Sequence, residues 1–227
     1  MDAARSLADP EFLHALLHDL KGPVARVRML GELLERRQPG LDPETVALLG
    51  HIRSSAEAAE EVLEGVRRYA EAARRPYRPS QFDLTAALEN ALVRLRSQIA
   101  EIGASVKPDS LPRVYADMAQ LSTLFEELIG NALQFHSIDP PVIEIAAIAE
   151  DSDWVISVAD NGSGLGGAAA QRLFRPFGKA SPRSGAGMGL AICRLIADAH
   201  GGEITVFPRQ RGTEFRLRLP RSRGSTL

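Results

Sequence analysis

Asp160-Asn161-Gly162-Ser163-Gly164 follows directly on Trp154 to Ala159, a run rich in β-branched residues, so that a strand ends in a carboxylate and then in glycines. An acidic side chain at that place can accept the exocyclic amino hydrogen of adenine, and the glycines let main chain approach a base closely. Guanine presents an oxygen at the same edge, so the acceptor separates the two purines. Three neighbouring segments complete a constellation. In Glu127-Leu128-Ile129-Gly130-Asn131-Ala132 the helical spacing of four puts Glu127 and Asn131 on one face. The Asn131 amide oxygen is a hard ligand suited to Mg2+, which fills the rest of its shell with phosphate oxygens and water. Phe174-Arg175-Pro176-Phe177, with the polar run Gly178 to Ser184 after it, reads as a mobile flap on an aromatic hinge. Gly185-Ala186-Gly187-Met188-Gly189-Leu190 opens a helix whose first N–H groups, free of side chains, suit phosphate.

Other nucleotide motifs fit worse. A dinucleotide fingerprint needs G-x-G-x-x-G straight after a strand, whereas the spacing here is G-x-G-x-G after a loop. A P-loop needs Gly-Lys-Ser/Thr, and Gly178-Lys179 is followed by Ala180. One glycine cluster alone usually marks only turns. Four segments in order within about 65 residues point to a nucleotide site.

The elements around these motifs alternate irregularly. Gln81 to Leu84 reads as a short strand, Thr85 to Ala100 as a helix and Val114-Tyr115 as an extended stretch. Asp117 caps a helix running to about Phe135, and Pro141 to Ala149 pairs with Trp154 to Ala159. A helix from Gly189 to His200 precedes two strands, Glu203 to Phe207 and Glu214 to Leu219, joined around Gly212. This order predicts one mixed sheet with helices on one face, a two-layer α/β sandwich over residues 81–221.

The first 75 residues have a different period. Leu13, Leu17, Leu20, Val24, Val27 and Leu34 follow helical spacings. Gln38-Pro39-Gly40 stops that helix, and Asp42 with Pro43 starts another, with a seam at Leu49, Ile52, Ala56, Ala59, Leu63, Val66 and Ala70. The pattern predicts an antiparallel hairpin. Each seam has more apolar surface than one partner helix can cover, so two hairpins are expected to pair as a four-helix bundle in a homodimer. The alternative is that the hairpin packs on the second domain. Arg74-Arg75-Pro76-Tyr77-Arg78-Pro79 reads as the linker.

His18-Asp19-Leu20-Lys21-Gly22-Pro23 interrupts the first seam with polar residues. At ~100° per residue both His18 and Asp19 fall well away from the apolar centre, on the solvent side. A solvated histidine beside a carboxylate can keep one ring nitrogen nucleophilic while the carboxylate receives the departing proton. Pro23 removes one ladder hydrogen bond just past this pair, which is expected to kink the helix. The alternative is a surface histidine with a chance acidic neighbour.

Composition narrows the class. The chain has 227 residues, 44% hydrophobic and 25% charged, with a net charge of −2 and one cysteine, Cys193. That balance suggests no nucleic-acid partner, disulfide framework or cysteine-based metal cage. No apolar run approaches the ~20 residues of a membrane span and no signal peptide opens the chain, so a cytoplasmic setting is expected.

Together these segments resemble a sensor histidine kinase of two-component systems from end to end. His18 to Pro23 resembles the family's H-box, Glu127 to Phe135 its N-box, Asp160 to Gly164 its G1 box, Phe174 to Phe177 its F-box and Gly185 to Leu190 its G2 box; Ile196 to Gly202 also matches a run that follows the G2 box. The resemblance implies a dimerisation and phosphoacceptor hairpin over 1–75, then a catalytic domain of the Bergerat ATP-binding type. It implies autophosphorylation of His18 with Asp19 and Glu127 in catalytic roles, and transfer to a response-regulator receiver aspartate. ATP would be held by Asn131, Asp160, Gly162, Gly164, Phe174, Phe177, Lys179, Gly185, Gly187, Gly189, Leu190 and Thr213, and Mg2+ by Asn131. Asp and Lys in the H-box are similar to phytochrome-type kinases, which implies an upstream sensor domain or protein for light or redox signals. Two positions depart from the family pattern: Glu127 stands where Asn is usual, and Gln134 where Lys or Arg is common. Lys179, Arg183 or Arg175 is then expected to supply the missing positive charge. Two other functions stay compatible with the motifs, a phosphotransfer protein with a decayed ATPase half and a serine kinase or ATPase acting on a bound protein. The intact glycine segments count against the first, and the outward His-Asp pair against the second.

Overall fold

The structure is a computed structural model that describes residues 10–37, 40–137, 139–164, 170–178 and 185–221. It divides into two compact units, the first built on a helical hairpin up to Glu71 and the second beginning at Ala72. In the first, α1 spans Pro10–Arg37 and α2 spans Pro43–Arg74. Asp42 starts α2 as the sequence predicts: its carboxylate accepts from the Thr45 N–H at 2.9 Å and from the Thr45 hydroxyl at 2.6 Å. Helix α1 continues through Pro23.

Leu17, Leu49 and Ala56 are buried in the hairpin. Ion pairs from Arg28 to Glu60 (3.3 Å) and from Arg53 to Glu35 (3.1 Å) join its helices. Leu16, Leu20, Val27 and Leu34 on α1, with Leu48 and Ile52 on α2, stay exposed. They form a second stripe turned roughly 60–100° from the buried one.

The second unit contains two sheets rather than the single one expected. β1 (Ser80–Asp83) pairs antiparallel with β3 (Arg113–Ala116) as a separate two-stranded ribbon. The main sheet has five strands in the order β2-β4-β5-β7-β6: Ser105–Pro108, Val142–Glu150, Asp153–Asp160, Thr213–Pro220 and Glu203–Pro208. It is mixed, because β2 runs parallel to β4 and every other pair is antiparallel. Strand β2 escapes a sequence reading: it has four residues, ends in proline and has no fully buried position.

Register explains which face is covered. Ile145 lies opposite Val158, Val158 opposite Phe215 and Phe215 opposite Val206; Ile156, Leu217 and Ile204 form the next row. All seven are buried. Helices α3 (Leu84–Ile102), α4 (Met118–Gln134) and α6 (Gly189–Ala199) pack together, and α4 and α6 meet the sheet; the short α5 spans Ala170–Leu173. The opposite face is polar, with Glu144, Glu214, Arg216 and Arg218 in ion pairs.

A buried polar node sits where β3 meets α4. Asp117 caps α4 by accepting from the Gln120 N–H at 3.0 Å, and its own N–H donates to His200 Nε2 at 3.0 Å. His200 Nδ1 lies 2.7 Å from the Ile196 carbonyl, so the ring is neutral with its proton on Nδ1. Burial holds this imidazole below the ordinary histidine range, against a smaller opposing pull from Asp117. The unfolded chain therefore takes up the proton first, and stability falls as pH drops through the ordinary histidine value near ~6.5. We predict that the urea midpoint decreases from pH 7.5 to 5.5, and that His200→Gln flattens this slope while lowering the midpoint at pH 7.5. Parallel slopes for the two proteins would contradict it.

Candidate nucleotide and phosphoacceptor sites

Asp160 ends β5 on the helix-covered face, opposite Ile143. Its Oδ1 accepts from the Gly162 N–H at 2.8 Å and from the Thr213 N–H at 3.2 Å. Burial pushes this carboxyl above the usual carboxylate range, opposed by those two hydrogen bonds and, more weakly, by Arg209. The side chain is half-buried, with one oxygen occupied by main chain. The second oxygen can accept a further hydrogen bond, as an adenine amino group would need.

Two glycines make this packing possible. A Cβ on Gly162 would stand 2.6 Å from the Phe135 carbonyl oxygen. At Gly212, where φ is +86°, a side chain would run into the Asp160 carbonyl. The Phe135 carbonyl in turn accepts from the Ser163 N–H at 3.0 Å, fastening the loop after β5 to the end of α4. Asn161 ties the same loop to β4, accepting from the Val142 N–H at 2.8 Å and donating to the Pro140 carbonyl at 3.3 Å. Neither the role of Asn161 nor that of Gly212 was visible in sequence, since both act through contacts distant along the chain.

Asn131 and Glu127 lie on α4 as the four-residue spacing requires. The Asn131 amide nitrogen is buried and has no hydrogen-bond partner among the described residues. The Glu127 carboxylate reaches the start of α6, where a Cβ on Gly189 would stand 2.6 Å from its Oε2. Gly187 has φ +67°, Leu190 is half-buried and Gly164 lies in the loop after β5. Gly185 is half-buried, but the second unit resumes only at Gly187. Phe174 meets Phe215 edge-on at 6.5 Å, anchoring its segment to the sheet core. Phe177 is 54% exposed at φ +61°, a strained conformation for an aromatic residue. Arg175 is exposed, as is Gln134. Lys179 and Arg183, expected to provide positive charge, lie outside the described residues.

On the hairpin, the His18 and Asp19 side chains are 84% and 81% exposed, and His18 Nδ1 lies 3.3 Å from Asp19 Oδ1. A shallow pocket beside His18 is lined by Leu17, Lys21, Leu63, Glu64 and Arg67. Among the described residues no cluster of histidine, cysteine and acidic side chains could hold a metal by itself.

Residues 116–223 match the family of histidine kinase-, DNA gyrase B- and HSP90-like ATPases. Cyanobacterial phytochrome A of Nostoc is 35% identical over 210 residues, 90% of this chain and 28% of the relative. Over nearly its whole length the chain is similar to sensor histidine kinases. Full-length ShkA, solved in complex with AMPPNP, superposes with a TM-score of 0.65 at 26% identity, over 95% of this chain and 46% of that one. Histidine kinase ThkA, solved in complex with the response regulator protein TrrA, shares the fold with a TM-score of 0.64 at 21% identity, over 96% of this chain and 66% of that one. The chain thus spans little more than a quarter of the length of the Nostoc phytochrome. No helix among its described residues is long and apolar enough to cross a membrane.

The Asp160 carboxylate gives a prediction with a definite sign. Its raised folded value means that the native state binds this proton before the unfolded chain, so the wild type gains relative stability as pH falls. Asp160→Asn does not titrate. The melting temperature of nucleotide-free Asp160→Asn minus that of wild type is therefore largest at neutral pH and shrinks toward pH 4, while calorimetry finds ATP binding severely weakened. A difference that grows on acidification, or normal ATP affinity, would remove Asp160 from the assigned role.

Proposed function

We propose that this chain is the kinase core of a two-component sensor, transferring the γ-phosphoryl of ATP to His18 and from there to an aspartate of a response-regulator receiver domain. The observation that carries the proposal is the exposed His18–Asp19 pair on the hairpin of a chain that also folds an ATPase-family domain. With Nδ1–H donating to Asp19, the Nε2 lone pair is free to attack. The Nε2–phosphorus bond forms, the bond from γ-phosphorus to the bridging oxygen breaks, ADP leaves, and the Nδ1 proton passes to Asp19.

In the ATP domain, Asp160 Oδ2 receives the adenine amino group and the start of α6 faces the phosphates. The orphaned Asn131 amide fits a Mg2+ site, since turning the amide presents its oxygen in the same place. Bound Mg2+ would neutralise charge on the phosphates. Glu127, one turn before Asn131, is suited to a water on that ion. The AMPPNP complex of ShkA supports the ATP site, and the complex of ThkA with a response regulator supports the receiver partner. The phytochrome relative supports an upstream sensor region. The uncovered stripe of Leu16, Leu20, Val27, Leu34, Leu48 and Ile52 supports a homodimer through a four-helix bundle.

The test is incubation with γ-labelled ATP. Label on the wild type should survive alkali and be lost in acid, as phosphohistidine is, and His18→Gln should carry none while binding nucleotide normally. Equal labelling of His18→Gln would sink the proposal. Asp19→Asn should slow autophosphorylation by ~10²-fold or more, the range general-base catalysis supplies. Glu127→Gln should retain a measurable rate with weaker dependence on Mg2+, and the reverse ranking would move the base to the other domain. Leu20→Lys with Val27→Lys should give a monomer by light scattering at micromolar concentration.

A further inference from the structure

The segment leaving α2 is not a free tether. Within the second unit the Arg78 N–H donates to Asp117 Oδ2 at 2.8 Å, and the Arg75 carbonyl accepts from Gln120 Nε2 at 3.5 Å. The Tyr77 ring meets His200 edge-on, with centroids 4.9 Å apart and planes at 82°. The three receiving side chains, Asp117, Gln120 and His200, are all buried although polar. Asp117 spends one oxygen on its helix cap and the other on Arg78, while its N–H is received by His200. Pro76 and Pro79 restrict the segment toward extended backbone, which lowers the entropy lost when it is held. The next residue, Ser80, enters β1 opposite Ala116, beside Asp117.

We propose that Arg75 to Pro79 form a strap, fastened on the Asp117–His200 node, and that its release sets how far the ATP-binding domain can travel during autophosphorylation. While fastened, the strap moves with the ATP domain and leaves almost no slack after Arg74. Unfastened, five residues become free chain, roughly 17 Å of additional reach when extended. The fastening is small: one strong main-chain hydrogen bond, one long one and a ring contact on a Tyr77 that is itself exposed. Such a contact opens at little cost, as befits a regulator rather than a core element. The regulatory half of the proposal rests on the kinase reading above; the strap itself does not.

Hydrogen exchange on the full chain separates the two. Pro76 and Pro79 have no amide, so a peptide over the strap reports Arg75, Tyr77 and Arg78. Tyr77→Ala is expected to speed that exchange by about tenfold and to raise the autophosphorylation rate several-fold, with unchanged ATP affinity. Asp117→Asn, which keeps an oxygen for the helix cap and loses the charged acceptor of Arg78, should act in the same direction. Tyr77→Phe keeps the ring contact and should match wild type in both measurements. Wild-type exchange in both Tyr77→Ala and Asp117→Asn would overturn the strap, and faster exchange with an unchanged phosphorylation rate would overturn its regulatory role. A wild type that takes no label would count against the kinase reading, with exchange still deciding the strap.

Discussion

The ATP-binding half of this protein is organised around the cost of holding one carboxylate partly out of water. Asp160 is pushed above its ordinary range by burial, and main-chain N–H groups of Gly162 and Thr213 offset part of that cost. To place both donors on one oxygen, the end of β5, the start of β7 and the turn at Gly212 must meet in a space that admits no side chain. The end of α4 is drawn in as well, because the Phe135 carbonyl accepts from Ser163 and closes on Gly162. The apolar rows Ile145–Val158–Phe215–Val206 and Ile156–Leu217–Ile204 then serve as more than a core. They fix the register that sets Asp160 at the strand end and on the helix side.

The His18–Asp19 pair, the proposed phosphoacceptor, follows the opposite logic. His18 and Asp19 sit almost wholly in water, one residue apart, so the chain itself supplies the proximity that a buried site must build from several elements. On the proposed kinase reading, a nucleophile that must meet an ATP domain and then a receiver gains from being reachable. Recognition of adenine gains from a low-dielectric pocket, where an unpaired polar edge is expensive. Separate units let each requirement be met without compromise, and they make the connecting segment mechanically important.

Much of this was legible because local rules agreed with the global outcome. Asp117 and the apolar spacing after it placed the start of α4, and Asp42-Pro43 placed the start of α2. The four glycine segments could be located because their chemistry depends on residue type at short spacing. Long-range pairing could not be read. The β1–β3 ribbon looked like two more members of one sheet, and β2 is too short and too exposed to signal itself. Nothing at short spacing marks His200; its role appears only when Asp117, distant in sequence, is brought to its Nε2. Asn161 gave no sign that it would bind the start of β4 rather than a ligand.

The departure from the family pattern at Glu127 also changes meaning once the fold is seen. Its carboxylate lies against Gly189, at the positive end of α6, where an anion is favoured. Met188, the residue before that helix, offers no side-chain cap. An acidic residue at 127 and a bare backbone at 189 are therefore one feature: any side chain at 189 displaces the carboxylate, and a neutral residue at 127 removes a negative charge from the helix start. In the proposed ATP complex the phosphates approach that same end, so two anionic groups share one helix terminus. With Gln134 neutral, cations in that proposed complex would come from bound metal or from Arg175. That requirement would tie the proposed nucleotide binding to a divalent ion more strongly than an asparagine at 127 would. In that proposed complex the identity of residue 127 adjusts the charge balance of the cleft, while the proposed adenine contact stays with Asp160.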